Sequence, residues 1–436
     1  MTDRDLSGPG RRLYRQKAVP HLAGAGRSRI QQVAVGVSAA LLLLTGACSA
    51  SDVSPAPRDC VVSPGVTKDT VRLGLILTDT GTTAKLFIGA RAGIDARIRS
   101  QNERGGVRGR TLVYDWRDDE SNPAQNLAVA RELVENGKVF GLLSATSVAT
   151  GSAQYLHGAR VPVAGLAMES VWSTFDNMVS YMNQMPSAVA FDTLGRFSSA
   201  MGVQRAVIVM TGSSETSRAG ATWIAKILQY SGIGIAATLD YSPAAITPAL
   251  LGRQIAQLRA DGLFVSMPGD DFSDIYYGAM TAGAAFKVGL GVHGYGHELL
   301  ARNGTKIGGA YFYVPYLPFE ANAPAQRAYL DAVTRYAPEL NPPEAQAAVE
   351  SYITTDLLIR GLEAVGPCPT RDGLLGALRS ISDFDGSGLL PVPIDLTQGF
   401  GQPGRCLTFV RVNQAGAGFD VMKPPVCGEL IPSPTP

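Results

Sequence analysis

The chain has 436 residues, of which 45% are hydrophobic and 17% charged. That balance describes a chain able to bury a core and excludes an intrinsically disordered protein. With 38 Lys+Arg against 37 Asp+Glu, a formal charge of +1 gives no basic footprint for nucleic acid.

The N-terminal stretch carries Arg4, Arg11, Arg12, Arg15, Lys17, Arg27 and Arg29 against only Asp3 and Asp5. Val33–Ala47 then run apolar for 15 residues, short of the roughly 20 a helix needs to cross a bilayer. A basic leader, a short apolar stretch and small residues make residues 1–47 a secretory signal. Its removal takes away seven basic and two acidic side chains, leaving 31 and 35 and a net charge of about −4. The remaining 389 residues exceed what one hydrophobic core usually supports, so two domains are expected. Leu44-Thr45-Gly46-Ala47-Cys48 resembles the lipobox of bacterial lipoproteins, which implies lipidation of Cys48 and a Ser/Pro/Ala-rich tether within 48–69. Cys60, Cys368, Cys406 and Cys427 are an even set in an exported chain and predict two disulfides, with three pairings open.

Val71–Leu77 reads as a strand, followed by a polar turn and a helix from about Ala84 to Glu103 that stops at Gly105-Gly106. Arg110–Trp116 is the next strand. Ser121 or Asn122 then caps a helix opened by Pro123, with Leu127, Ala130, Leu133 and Val134 as its buried stripe. Strands at 139–144 and 161–167 flank a third helix. The pattern restarts at the strand Arg205–Met210 and continues through helices and strands to about residue 294. Helices near Pro324–Tyr336 and Ala345–Val365 and a late strand Cys406–Val412 complete it. Such alternation predicts α/β architecture, parallel sheets with helices on both faces, in two units. The tail is set at 428–436, and its end, IPSPTP, is expected to fray.

Asn102, Gly105, Gly106, Gly109 and Arg110, then the pair Asp118-Asp119 and the helix Ala124–Val134, resemble the leucine/isoleucine/valine-binding family of extracytoplasmic solute receptors of ABC transporters. The resemblance implies a type I periplasmic-binding-protein fold: two doubly wound lobes with parallel sheets, joined by a three-crossover hinge. Lobe 1 is expected at 70–187 plus 316–385, and lobe 2 at 188–315 plus 386–427. The implied function is capture of a small polar solute in the interlobe cleft and delivery to an ABC permease, by a monomer tethered outside the membrane. A ligand-sensing or cell-envelope role on the same fold is the alternative. No cofactor, metal or enzymatic activity is expected.

By resemblance, the ligand contacts fall on the first loop (Thr82, Thr83, Phe87), the loop Ser144-Ala145-Thr146-Ser147, and the loop Ala167-Met168-Glu169-Ser170. Hydroxyls and backbone N–H groups there would hold a ligand carboxylate. In lobe 2 the sequence departs from its amino-acid-binding relatives. Ala188, beside Ser187, stands where they place an acid for the ligand ammonium. Asp270 stands near their tyrosine, and His293 to Tyr295 near their glutamate. Asp270 or Glu169 would have to replace the missing acid, because a buried ammonium without a counter-charge is costly. The pair His293 and His297 lies in a glycine-rich stretch unsuited to a shared helix face, and Asp383–Gly388 lacks a calcium loop's closing glutamate, Ile394 standing there.

Overall fold

The computed structural model describes residues 63–183, 189–399 and 404–432. The signal segment, Cys48, Cys60, Ser187 and Ala188 lie outside the described residues. Within them, no helix is long and apolar enough to cross a membrane.

The first sheet is built from β1 (Thr70–Leu77), β2 (Thr111–Asp118), β3 (Gly141–Ala145), β4 (Val163–Gly165) and β5 (Met178–Val179), in the order β2-β1-β3-β4-β5. All of its pairings are parallel; Leu73, for example, sits opposite Tyr114 on one side and Gly141 on the other. β1 and β3 are almost wholly buried apolar runs, as strands covered on both faces must be. Between the strands run α1 (Ala90–Glu103), α2 (Pro123–Arg131) and α3 (Thr150–Gly158).

The second half begins with β6 (Ala190–Phe191) and α4 (Thr193–Ala200). It continues with β7 (Arg205–Met210), α5 (Glu215–Tyr230), β8 (Gly234–Asp240), α6 (Pro248–Gln257), β9 (Gly262–Ser266), α7 (Gly269–Thr281), β10 (Val288–Gly291), α8 (His297–Asn303) and β11 (Tyr311–Val314). The chain then returns to the first sheet with α9 (Pro324–Tyr336), α10 (Gln346–Ala364) and α11 (Arg371–Arg379). It crosses once more, through α12 (Leu396–Gly399), to β12 (Cys406–Val412), β13 (Phe419–Val421), β14 (Val426–Cys427) and β15 (Leu430–Ile431). The second sheet has the order β13-β12-β11-β10-β9-β7-β8. The chain therefore passes between the sheets three times, as the family resemblance implied.

α10 is the helix most deeply set in the first half, and two devices bring α1 against it. A Cβ on Gly93 would lie 2.0 Å from the Ala348 carbonyl oxygen, so only glycine permits this approach. Beside it, buried Arg97 meets buried Asp356 at 2.7 Å, and Ser387 Oγ donates to the same carboxylate at 2.7 Å.

Four expectations need correction. The helix expected over 84–103 is split: a 3-10 turn spans Ala84–Phe87, Gly89 takes φ +86, and α1 starts at Ala90. The α2 stripe is rotated by about one residue, with Asn126, Val129, Ala130 and Leu133 buried while Leu127 and Val134 are half-buried. Asn126 turns inward because its amide donates to buried Asp119 at 2.9 Å, and a π turn at Glu132–Asn136 absorbs the extra residue. The second sheet is not wholly parallel: β12 runs antiparallel to β11 and β13 antiparallel to β12. The tail is ordered through Ile431, since Leu430–Ile431 pair antiparallel with Ala190–Phe191 and bury Ile431.

Cys406 and Cys427 face each other across the β12–β14 pair and form a disulfide. Cys368 is disulfide-bonded as well.

Candidate functional site

At the carboxyl edge of the first sheet, the loops after β1, β2, β3 and β4 meet. Fully buried Asp119 organises them. One carboxylate oxygen accepts from Thr78 Oγ1 at 2.8 Å and from the Ser121 amide at 3.2 Å, the other from Asn126 Nδ2 at 2.9 Å and from Thr146 Oγ1. Asp118 accepts from the amides of Asp79, Thr80 and Glu120 and from Thr80 Oγ1. Burial raises its pKa, but these bonds outweigh burial and hold the carboxyl below the ordinary range. The acidic pair thus clamps the first loop, while Asn122 does the capping of α2, accepting from Ala124 N at 2.8 Å. Thr83 Oγ1 and Ser147 Oγ lie 2.7 Å apart, so these two loops also tie to each other.

The N-terminus of α3 holds an anion from its own chain. Glu169 accepts from Thr150 N at 3.3 Å and from Thr150 Oγ1 at 2.5 Å. Burial pushes the Glu169 carboxyl up, with the Thr150 bonds acting in opposition.

A cleft opens where both sheets present strand ends. Its outer part has a volume of about 250 Å³ and is walled from the first half by Lys85, Leu86, Ile88, Met168 and residues 340–350. From the second half it is walled by Gly269, Asp270, residues 293–299 and Arg302. An inner part of about 80 Å³ is lined by Met168, Met182, Trp223, Ile224, Ser266, Val292, His293, Tyr313, Gln346, Glu350 and Leu407, among others. His293, Met168, Gln346 and Glu350 border both parts. Ser266 closes β9, and His293 follows β10 by two residues. The cavity thus sits at the carboxyl ends of strands next to the point where the second sheet's order reverses between β7 and β9.

Burial lowers the His293 pKa, which leaves a neutral imidazole at pH 7. Tyr295 is fixed: its hydroxyl donates to Glu320 Oε2 and accepts from Phe319 N, both at 2.7 Å, and burial, followed by the Glu320 charge, raises its pKa. Asp270 is shared between Arg302, 3.1 Å away, and Asn303 Nδ2 at 2.7 Å. Glu350, 5% exposed on α10, accepts from Gln346 Nε2 at 2.9 Å. The Trp223 indole Nε1–H is buried and has no acceptor among the described residues. A neutral imidazole, a carboxylate and an indole donor inside apolar walls are the few convergent polar groups that orient a small molecule.

The periplasmic binding protein family matches residues 70–417. This chain belongs to that family. The periplasmic binding protein is thus an extracytoplasmic solute receptor. Solved structures share its two-lobed fold at low identity. A fatty acid ABC transporter substrate-binding protein from Thermomonospora curvata has a TM-score of 0.67 and 19% identity over 85% of this chain and 95% of its own. An ABC transporter substrate-binding protein from Aeropyrum pernix reaches 0.69 at 17% over 83% and 96%. The branched-chain amino acid transporter substrate binding protein LivJ from Streptococcus pneumoniae, in complex with isoleucine, reaches 0.63 at 18% over 82% and 100%. No curated protein matches the sequence.

Of the sequence-derived candidates, the fold brings Asp270, His293 and Tyr295 to the cleft wall, with Met168 from the fourth-strand loop. Thr82, Thr83, Ser144, Ala145, Thr146, Ser147, Ala167 and Glu169 line neither part of the cleft. Thr146 is spent on Asp119, Glu169 on α3, and Thr83 and Ser147 on each other. Phe87, expected over the ligand, is 3% exposed and packed in the main core, while its neighbours Lys85, Leu86 and Ile88 stay exposed and line the cleft. Glu350 and Trp223 escaped sequence reasoning. The one available signal for Glu350 was an acid within a helix whose neighbours, Ala347 to Ile353, are all buried.

Proposed function

We propose that this periplasmic binding protein is the substrate-binding component of an ABC importer, tethered outside the membrane through lipidated Cys48. It captures a small solute between its lobes, at 70–187 plus 316–385 and 188–315 plus 386–427, and presents the closed form to a permease. The observation that carries the reading is the cleft itself, a cavity walled by both halves at their strand ends, with a three-segment connection that can act as a hinge. Asp270, His293, Glu350 and Trp223 are the residues assigned to the solute. The lining points to a solute with an apolar body and a polar end.

A thermal-shift screen of the purified protein against amino acids, amides, amines, small carboxylates and short peptides tests this. A solute at 100 times its dissociation constant should add about 2.7 kcal/mol of stability. A hit in one chemical class, matched by loss of its uptake in a strain lacking the gene, is the expected result. A blank screen from folded protein, or undiminished uptake, would contradict the importer role.

A further inference from the structure

The inner cleft is electrically one-sided. Glu350 is the only carboxylate in its lining, and no Lys or Arg stands there among the described residues. Tyr313 and Trp223 line the same cavity, and the Glu350 charge reaches Tyr181, Tyr313 and Tyr316, adding to the burial that raises each phenol. In the outer part Lys85 and Arg302 face Asp270, Glu298 and Glu344, and Arg302 is already held by Asp270 and Glu298. His293, between the two parts, is neutral.

The adjoining place for an anion is filled. The amide and hydroxyl of Thr150, at the start of α3, carry the Glu169 carboxylate. A ligand carboxylate arriving at this sheet edge would meet another carboxylate instead of open N–H groups. In the inner cleft it would meet Glu350.

We propose that the inner cleft selects an organic amine, a cationic nitrogen on an apolar body without a carboxylate. Glu350 is its counter-charge, and Trp223 and Tyr313 are its aromatic walls. The assignment rests on the cleft being a solute site. The faces of indole and phenol rings attract a cation. The buried carboxylate supplies the partner an ammonium needs once it leaves water. Met168, Met182, Ile224 and Leu407 accept the apolar body, and thioethers adapt to its shape. In the inner cleft an α-amino acid gains one of these interactions and loses on the other, since no Lys or Arg among the described residues lines that part to meet its carboxylate.

Three probes of nearly one shape separate the possibilities: leucine, 3-methylbutylamine (leucine without its carboxylate) and 4-methylpentanoate (leucine without its amine). Isothermal titration of the purified protein should show the amine binding at least about 100-fold more tightly than leucine, with 4-methylpentanoate weakest, because like-charge juxtaposition is strongly unfavourable. Glu350→Gln should weaken the amine by about 30-fold or more while the circular dichroism spectrum is unchanged. If that variant does not fold, the three probes on the natural protein decide alone. Leucine or 4-methylpentanoate binding as tightly as the amine would overturn the amine class and leave solute capture standing. Unchanged amine affinity in a folded Glu350→Gln protein would also overturn it, as would no binding of the amine. Solute capture itself fails only if the broad thermal-shift screen is blank as well.

Discussion

Replacing Asp119 with alanine should be among the most damaging single changes in the first half of the molecule. Its carboxylate serves three buried side-chain donors, Thr78 Oγ1, Thr146 Oγ1 and Asn126 Nδ2, and the amide of Ser121. The two hydroxyls already lie 2.9 Å apart and can satisfy one another in part, and Ser121 N is near enough to solvent to find water. That leaves about two buried donors without an acceptor. At about 1–3 kcal/mol each, the loss is about 2–6 kcal/mol. Asparagine keeps one acceptor but turns an NH₂ toward donors, so Asp119→Asn should fall at the lower end of that range. Urea unfolding followed by circular dichroism measures both. Amide exchange at Val148, whose N–H is held by Thr146 Oγ1 at 3.0 Å, should accelerate in parallel. A loss below about 0.5 kcal/mol for the alanine variant, the level of an ordinary surface change, would refute the view that this carboxylate organises the loops.

Burial raises the folded-state pKa of Glu169 above its ordinary 4.5, so this group favours folding below that value and loses the contribution as pH rises through the folded pKa. Glu169→Gln should therefore gain stability relative to the natural protein across that rise, measured by thermal melts in a pH series; a constant difference would contradict it. Asp356→Ala should cost about 3–5 kcal/mol by stranding buried Arg97, whereas the pair Arg97→Met with Asp356→Leu should be far milder, as urea midpoints would show. Gly93→Ala should cost about 1–3 kcal/mol by forcing α1 from Ala348. Gly376→Ala, at an open position in α11, should instead stabilise by about 0.4–1 kcal/mol, and differential scanning calorimetry separates the two signs.

Local chemistry made much of the fold readable. Asn122-Pro123 announces the start of α2, and Pro324–Tyr336 and Cys406–Val412 match their elements residue for residue, because caps, proline and β-rich runs act over a few neighbours. What local chemistry does not show depends on distant partners. Thr146 looks like a ligand hydroxyl until Asp119, 27 residues earlier, is found beneath it. Phe87 looks like a loop residue, yet it alone of its 3-10 turn is buried in the main core. The tail looked unstructured because its partner, Ala190–Phe191, lies about 240 residues upstream. The same limit hid Trp223 and Glu350: nothing near either residue shows that α5 and α10 meet at one cavity. His293 was legible as a departure from the family pattern, and the fold carries it to the cleft.

The chain contains three tryptophans, and only Trp223 lines the cleft; Trp116 lies on β2 and Trp172 is packed in the first half's core. Titrating the best solute from the screen while following tryptophan emission, in the natural protein and in Trp223→Phe, tests directly whether the solute enters between the lobes. A saturable change in the natural protein that vanishes in Trp223→Phe, with binding still detectable by calorimetry, is the expected result. The same emission change in Trp223→Phe would place the solute elsewhere and contradict the cleft assignment.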